Sequence, residues 1–162
     1  MDRTQKIILA VVAVLLAVAA LVTVILWATL FRTRQGTFTP PPFEDAAETG
    51  VPTVSDESLR YSYAKITDEL AVGLCATCER VEDELVIYFT SLEHNVAWVR
   101  VKVYDEKGKL RGESGLLRPG EYVERIALTS APRGETLKIK VLSYEPDTYY
   151  SLGSAELTVN LK

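Results

Sequence analysis

The longest apolar run of the chain lies close to its N-terminus. Residues Ile7 to Phe31 include no charged residue, glycine or proline. As a helix this segment would be about 37 Å long, enough to cross a hydrocarbon core of about 30 Å. Its Leu, Ile, Val and Phe side chains favour insertion by roughly 7 kcal/mol in total. The pattern predicts a transmembrane helix over residues 7–31, preceded by a short head, residues 1–6.

A cleaved signal peptide is the competing interpretation of this segment. A basic start, an apolar stretch and the motif Ala17-Val18-Ala19 can all be traced. The apolar run continues for about a dozen residues past that motif, which is longer than a signal peptide needs and favours an uncleaved anchor. Two basic residues stand on each side of the span, so the positive-inside rule is nearly balanced. The short head and the large C-terminal part favour a cytoplasmic head and an exported domain.

Residues 32–58 show no regular apolar period. This stretch contains four prolines, three of them consecutive at positions 40–42. Consecutive prolines favour extended polyproline II backbone. We therefore expect an extended, semi-stiff linker between the helix and the rest of the chain.

From residue 59 to residue 162 the apolar positions recur every second residue, which is typical of strands with one buried face. The alternating sets are Leu85, Ile87 and Phe89; Ala97, Val99, Val101 and Val103; Leu137, Ile139 and Val141; and Ala155, Leu157, Val159 and Leu161. Turn sequences at 105–109, 118–120 and 130–135 separate them. Six or seven short strands predict an all-β domain, an immunoglobulin-like or fibronectin-III-like β-sandwich, with Trp98 in its core or at the core edge.

Part of this domain resembles a known group of proteins. The run VRVKVYDEKGKLRGESGLLRPGEYVERIAL, residues 99–128, is similar to a pattern in small single-pass envelope proteins of Gram-positive bacteria with an immunoglobulin-like outer domain. The similarity covers under a third of the domain and brings no catalytic residue with it. It implies a cell-envelope setting.

Charge is distributed unevenly along the chain. The first 34 residues carry a formal charge of +3 and the remainder −7, for a total of −4. An acidic body repels phosphate backbones, so we expect no nucleic-acid partner. Within the predicted span, Ala13, Ala17 and Ala20 form a stripe of small residues through which two helices could approach closely as a homodimer.

Cys75 and Cys78 are the only cysteines and form a C-x-x-C pair in LCATCE. Such a pair can be a redox dithiol, half of a zinc site, a disulfide in a local turn, or two free thiols. If the strand alternation before Cys75 continues, the two side chains point to opposite faces about 10 Å apart, whereas a disulfide needs Cα atoms within about 7 Å. Alternation favours free thiols, and an oxidising exterior favours a local disulfide.

The surroundings of the pair give redox chemistry and zinc binding little support. The acidic sequence ERVEDE that follows Cys78 offers no helix N-terminus to lower a thiol pKa. The single histidine, His94, leaves a four-ligand zinc site incomplete, and we interpret it as a solvated turn residue. No histidine-based triad or glycine-rich phosphate loop is recognisable. We expect no enzyme, no metal and no cofactor.

The segment YEPDTYYSLGS, residues 144–154, is the part of the sequence most suggestive of binding. Tyr144, Tyr149 and Tyr150 would lie near one end of the sandwich, where loops often carry recognition. Tyrosines give broad contact area at low entropic cost, which suits a protein or glycan surface. The alternative is that one of them packs under the loop or forms a corner hydrogen bond.

Three functional hypotheses follow from these patterns. The first is a single-pass membrane protein whose outer domain acts by protein contact as an accessory subunit of an envelope assembly. The second is a carbohydrate- or cell-wall-binding module that uses the tyrosines. The third is a thiol-redox protein that uses Cys75 and Cys78.

Overall fold

The chain begins with one long helix. The computed structural model describes residues 2–32 and 39–162, without the side chains of residues 4, 6–10 and 28–32. Helix α1 spans Arg3–Arg32, which confirms that the apolar segment is helical. Within the described part of the chain, no helix combines the length and the apolar character that a bilayer crossing requires. The membrane-spanning assignment of residues 7–31 therefore stays a prediction.

Residues 40–162 form a compact unit of β-strands, so the all-β prediction is confirmed. The strands are β1 (Glu48–Thr49), β2 (Tyr61–Lys65), β3 (Ala71–Cys75), β4 (Thr77–Val81), β5 (Glu84–Ser91), β6 (Trp98–Asp105), β7 (Leu110–Glu113), β8 (Glu121–Ala127), β9 (Thr136–Tyr144) and β10 (Ser151–Leu161), with a single 3-10 turn at Glu57–Leu59.

The strands belong to one curled sheet with two halves. The first half contains β1, β8 and β5, with β3 beside β5 and β2 at its edge; the second has the order β10, β9, β6, β7. Strand β4 joins the halves, because Glu79–Val81 pair antiparallel with β5 while Thr77 and Cys78 pair parallel with β10. This double pairing curls the sheet around a single core.

The core is built from the inward-facing residues of both halves. Fully buried side chains include Leu85, Ile87 and Phe89 from β5, Val99, Val101 and Val103 from β6, and Leu137, Ile139 and Val141 from β9. These are the alternating sets that the sequence predicts. In β10 only Val159 is buried, whereas Ala155 and Leu157 are half-buried. The prediction of a fully buried inner face fails there because the first part of β10 has a neighbour on one side only.

The compact unit begins earlier in the chain than the predicted linker boundary. The compact unit begins at Pro40 and not at residue 59. Phe43 forms a parallel β-bridge with Leu116, and the Leu116 N–H donates to the Pro42 carbonyl at 2.9 Å. A Cβ on Gly115 would come within 2.5 Å of the Glu44 backbone, so only glycine permits this close approach. The extended backbone that prolines favour is also the backbone that bridges to a strand, and sequence alone did not separate the two. Residues 33–38 of the predicted linker lie outside the described residues.

A buried ion pair closes the β6–β7 hairpin. Arg111 donates to Asp105 Oδ2 from Nε at 2.8 Å and from Nη2 at 2.5 Å, and Asp105 Oδ1 accepts from the backbone N–H groups of Lys107 and Lys109. These bonds, led by the one from the Lys109 N–H, hold the pKa of Asp105 below its ordinary value. The carboxylate thus organises the turn as well as pairing with the arginine.

Asp105→Asn should destabilise the fold at neutral pH and do so less in acid. A carboxyl with a lowered folded-state pKa contributes stability above its unfolded pKa, near 3.8, and loses it as pH falls through the folded value. Thermal melts should therefore show a loss of several degrees near pH 7 that shrinks below pH 3.8. Glu156→Gln, which breaks an exposed ion pair, is the matched control and should change the melting temperature little. A loss for Asp105→Asn that is independent of pH would contradict this role.

Candidate functional site

The outer face of the second half combines basic and aromatic side chains. On β6, alternation directs Val99, Val101 and Val103 into the core, so the even-numbered neighbours face outward. On β9 the even-numbered residues do the same. The resulting basic-aromatic face comprises Trp98, Arg100 and Lys102 on β6 and Lys138, Lys140 and Tyr144 on β9.

This face is positively charged on an acidic unit. Glu113 pairs with Arg100 at 2.8 Å and with Lys102 at 3.4 Å. Lys138 pairs with Glu156 at 3.1 Å. Four cations thus meet two carboxylates, a local charge of +2, whereas residues 40–162 together carry −7. An anionic partner would be attracted here and repelled elsewhere.

Two details of the face do not serve the stability of the sheet. Lys102 lies directly opposite Lys140 in the β6–β9 register, and like charges in that position destabilise a sheet. Lys140 has no ion pair within the described residues, and the buried Nε of Arg100 has no hydrogen-bond partner there. The positive charge is therefore incompletely balanced by this chain itself.

Aromatic rings cover one end of the face. The ring centroids of Phe43 and Trp98 lie 4.9 Å apart with an interplanar angle of 76°, and those of Trp98 and Tyr149 lie 5.2 Å apart at 63°. The Arg118 guanidinium carbon sits 3.7 Å from the centroid of the Phe43 ring, a cation–π contact. We call Phe43, Trp98 and Tyr149 the aromatic cluster.

The three tyrosines named from the sequence have different positions. Tyr144 ends β9, is half-buried and lies opposite Trp98 in the strand register. Tyr149 has a φ of 59° and packs edge-on against Trp98. Tyr150 is 72% exposed. The structure thus brings Tyr144 and Tyr149 to Trp98 and leaves Tyr150 as the most accessible ring.

Several residues of this site have positions that the sequence pattern does not predict. Trp98 was expected in the core or at its edge, but it faces outward and is covered in part by Phe43 and Tyr149. Phe43 lies in the stretch that the sequence predicts to be a linker. The alternation that buries the valines of β6 also directs its even-numbered residues outward, so this signal was available. Nothing local in the sequence indicates that residue 43 reaches Trp98.

Both thiols lie in the core and are free. Cys75 and Cys78 are fully buried, and the expectation that they point to opposite faces is wrong. The strand ends at Cys75, the chain bends at Ala76, and β4 begins again with pairing to β10, which resets the alternation. Cys78 Sγ lies 3.7 Å from the Cys75 carbonyl oxygen as a weak donor. The pair behaves as two small apolar residues.

Burial also suppresses the reactivity of the thiols. Desolvation raises the pKa of Cys75 to about 11 and raises that of Cys78 further. Redox-active thiols need the opposite shift, because the thiolate is the nucleophile. His94 is exposed in the loop before β6. Within residues 2–32 and 39–162, no group of three or more metal-binding side chains could hold an ion.

Alkylation of the folded chain should be slow at pH 8. With a pKa of about 11, roughly 0.1% of Cys75 is thiolate at that pH, against ~25% for an ordinary thiol. We expect modification by iodoacetamide about 100-fold or more slower than in guanidinium-unfolded chain, with the rate rising as pH increases toward 11. Rapid labelling of chain that retains its native circular dichroism would contradict the buried, protonated state.

Comparison with known proteins adds no family. No family model matches the chain, and no curated protein matches its sequence.

Proposed function

We propose that this chain is a single-pass membrane protein whose extracytoplasmic β-sandwich binds another envelope protein through the basic-aromatic face. The observation that carries the proposal is the set of Trp98, Arg100 and Lys140 on this face, with Tyr149 packed against Trp98, positively charged on an acidic unit. Trp, Tyr and Arg are the residues enriched at the energetic centres of protein interfaces.

The exposed helix supports the anchor. The large apolar side chains described from Val11 to Val24 are between 48% and 67% exposed. In water such a surface would be strongly unfavourable, and lipid would cover it. A cytoplasmic head, residues 1–6, and an exported C-terminal unit are part of this proposal. The stripe of Ala13, Ala17 and Ala20 lies on this helix and remains a proposed homodimer contact.

The strand pairing supports an immunoglobulin-like arrangement of the outer domain. Strands β5 and β8 lie in one half and β6, β9 and β10 in the other, as strands B and E and strands C, F and G do in that fold. In such sandwiches the faces and end loops carry recognition, which agrees with a site formed by β6, β9 and the β9–β10 turn.

The geometry favours a protein partner over a sugar. A carbohydrate platform needs an accessible, flat ring face, whereas the rings of the aromatic cluster stand at 63° and 76° to one another. Their edges and faces are already used in mutual contacts. Of the three tyrosines named from the sequence, only Tyr150 is exposed, and a single ring gives a weak sugar site. The thiol-redox hypothesis is disfavoured because burial raises both thiol pKa values.

The anchor predicts stable membrane association of the full chain. Wild-type chain should float with liposomes and resist extraction at alkaline pH. Two arginines in the middle of the span, Leu16→Arg with Ala20→Arg, should cost about 5–7 kcal/mol of insertion and release the chain. The matched control, Leu16→Ala with Ala20→Leu, keeps the helix apolar and should still float. Retention of the arginine variant in the membrane would contradict anchoring by α1.

The face predicts a site-specific contact in cells. A photoreactive phenylalanine analogue at Tyr150 should crosslink to one defined envelope protein, whereas the same analogue at Tyr63, also exposed but on β2, should not. Lys140→Glu should reduce that crosslink severalfold, because it reverses the unpaired charge of the face. Lys107→Glu makes the same charge change in the β6–β7 turn and is the control.

Three outcomes would contradict the proposed contact. Equal crosslinking from positions 150 and 63 would mean that the face has no special role. An equal effect of Lys107→Glu and Lys140→Glu would mean that the net charge of the chain governs the contact, and not the position of Lys140 on the face. Binding of the purified chain to isolated cell-wall glycan that is lost with Tyr150→Ala would favour the carbohydrate hypothesis instead.

A further inference from the structure

One edge of the sheet has free backbone hydrogen-bonding groups. Strand β10 pairs with β9 along its length, but β4 covers its other edge only at Asn160 and Leu161. The Asn160 N–H donates to Ala76 and the Lys162 N–H to Cys78, so the N–H groups of even-numbered residues point to the β4 side. In the described chain, the backbone groups of Ser154 and Glu156 on this edge have no partner. Only another extended peptide backbone matches their spacing.

A cavity with both apolar and polar lining residues lies beside this open edge. It has a volume of about 160 Å³ and is lined by Ile66, Leu70, Val141, Gly153 and Ala155, among others. Gly153 faces the inner side, because its register partner on β9 is the buried Ser143. With no side chain at Gly153, the cavity has room for an apolar side chain brought by a neighbouring strand.

We propose that two copies of this chain pair antiparallel through β10, with Ala155 on the two-fold axis. In this register Ser154 of each copy exchanges two backbone hydrogen bonds with Glu156 of the other. Leu157 of each copy then lies opposite Gly153 of the other, on the inner side, at the cavity. On the outer side the Glu156 carboxylate meets the Ser154 hydroxyl. The two sheet halves become one continuous sheet across the dimer.

Two neighbouring registers conflict with features of the same strand. An axis at Glu156 would place two glutamates directly opposite each other, which is destabilising. An axis at Leu157 would require Ser154 to pair with Asn160 of the second copy, and the outer edge of Asn160 is already bonded to Ala76. The axis at Ala155 avoids both conflicts and fills the cavity.

A second copy also suits the setting of the proposed function. An interface this small is weak between molecules free in solution. Anchoring in one bilayer, on which this step rests, raises the effective concentration of the two strands. The dimer contact lies on the β10 edge, whereas Lys140 of each copy lies on the outer face of β9 and stays available.

Cysteine crosslinking tests the register directly. Residues opposite each other in a non-hydrogen-bonded pair have Cα atoms about 4.5 Å apart, within disulfide range. Ala155→Cys in the full chain should therefore give a disulfide-linked dimer on mild oxidation. Glu156→Cys is the matched control: it is more exposed, but its Cα atoms would be about 7–8 Å apart across the axis, too far to bond. We expect about tenfold more dimer from position 155 than from position 156, and only background from wild type.

A second pair of variants tests the backbone pairing. Glu156→Pro removes only the outward N–H of that residue and should abolish crosslinking of Ala155→Cys, whereas Glu156→Ala keeps the N–H and should preserve it. Crosslinking is measured both in detergent solution at high chain concentration and in liposomes. Flotation reports separately whether the anchor holds the chain in the membrane, so failure of the dimer and failure of the anchor can be distinguished. The proposal is overturned if position 155 gives no dimer, if position 156 crosslinks as well, or if Glu156→Pro has no effect.

Discussion

The double pairing of β4 is the constraint on which the rest of this fold depends. Thr77 and Cys78 bond to β10, and the next three residues bond to β5. This crossing ties the two halves together and requires the chain to bend at Ala76. The bend turns both cysteines into the core. It also limits the contact of β4 with β10 to two residues, and so leaves the first part of β10 with an open edge.

The two faces of the second half obey different requirements. Most inward positions of β6 and β9 are valine, leucine and isoleucine, which close packing explains. The outward positions place Lys102 opposite Lys140 and leave Arg100 Nε without a partner. Stability alone would favour opposite charges or hydroxyl pairs there. Sequences break local rules mainly where function needs them, and the outer face is where this chain does so.

How far the sequence predicts this structure depends on how local each signal is. Strands such as Glu84–Ser91 and Trp98–Asp105 follow from their own alternation. The cysteine geometry does not, because one residue, Ala76, interrupts a pattern that reads as continuous. Phe43 stands in a proline-rich stretch whose backbone suits a free spacer and a β-bridge equally. Its contact with Trp98 is set by tertiary structure. The alternation predicts the basic outer face. The aromatic cluster at its end depends on tertiary contacts that the alternation does not predict.

An open edge strand can pair with foreign strands, and proteins usually carry features that prevent this. Strand β10 has two of these features. The register of β10 against β9 shifts between Ser151 and Gly153, which interrupts regular pairing, and Glu156 places a charge on the edge. Lys138 already pairs with that charge within the chain, so a second strand need not neutralise it. A foreign flat strand would meet the irregular backbone at Gly153. A second copy avoids that obstacle, because its Leu157 lies opposite Gly153 and fits there. The irregular backbone and the side chain that fits it are both parts of β10.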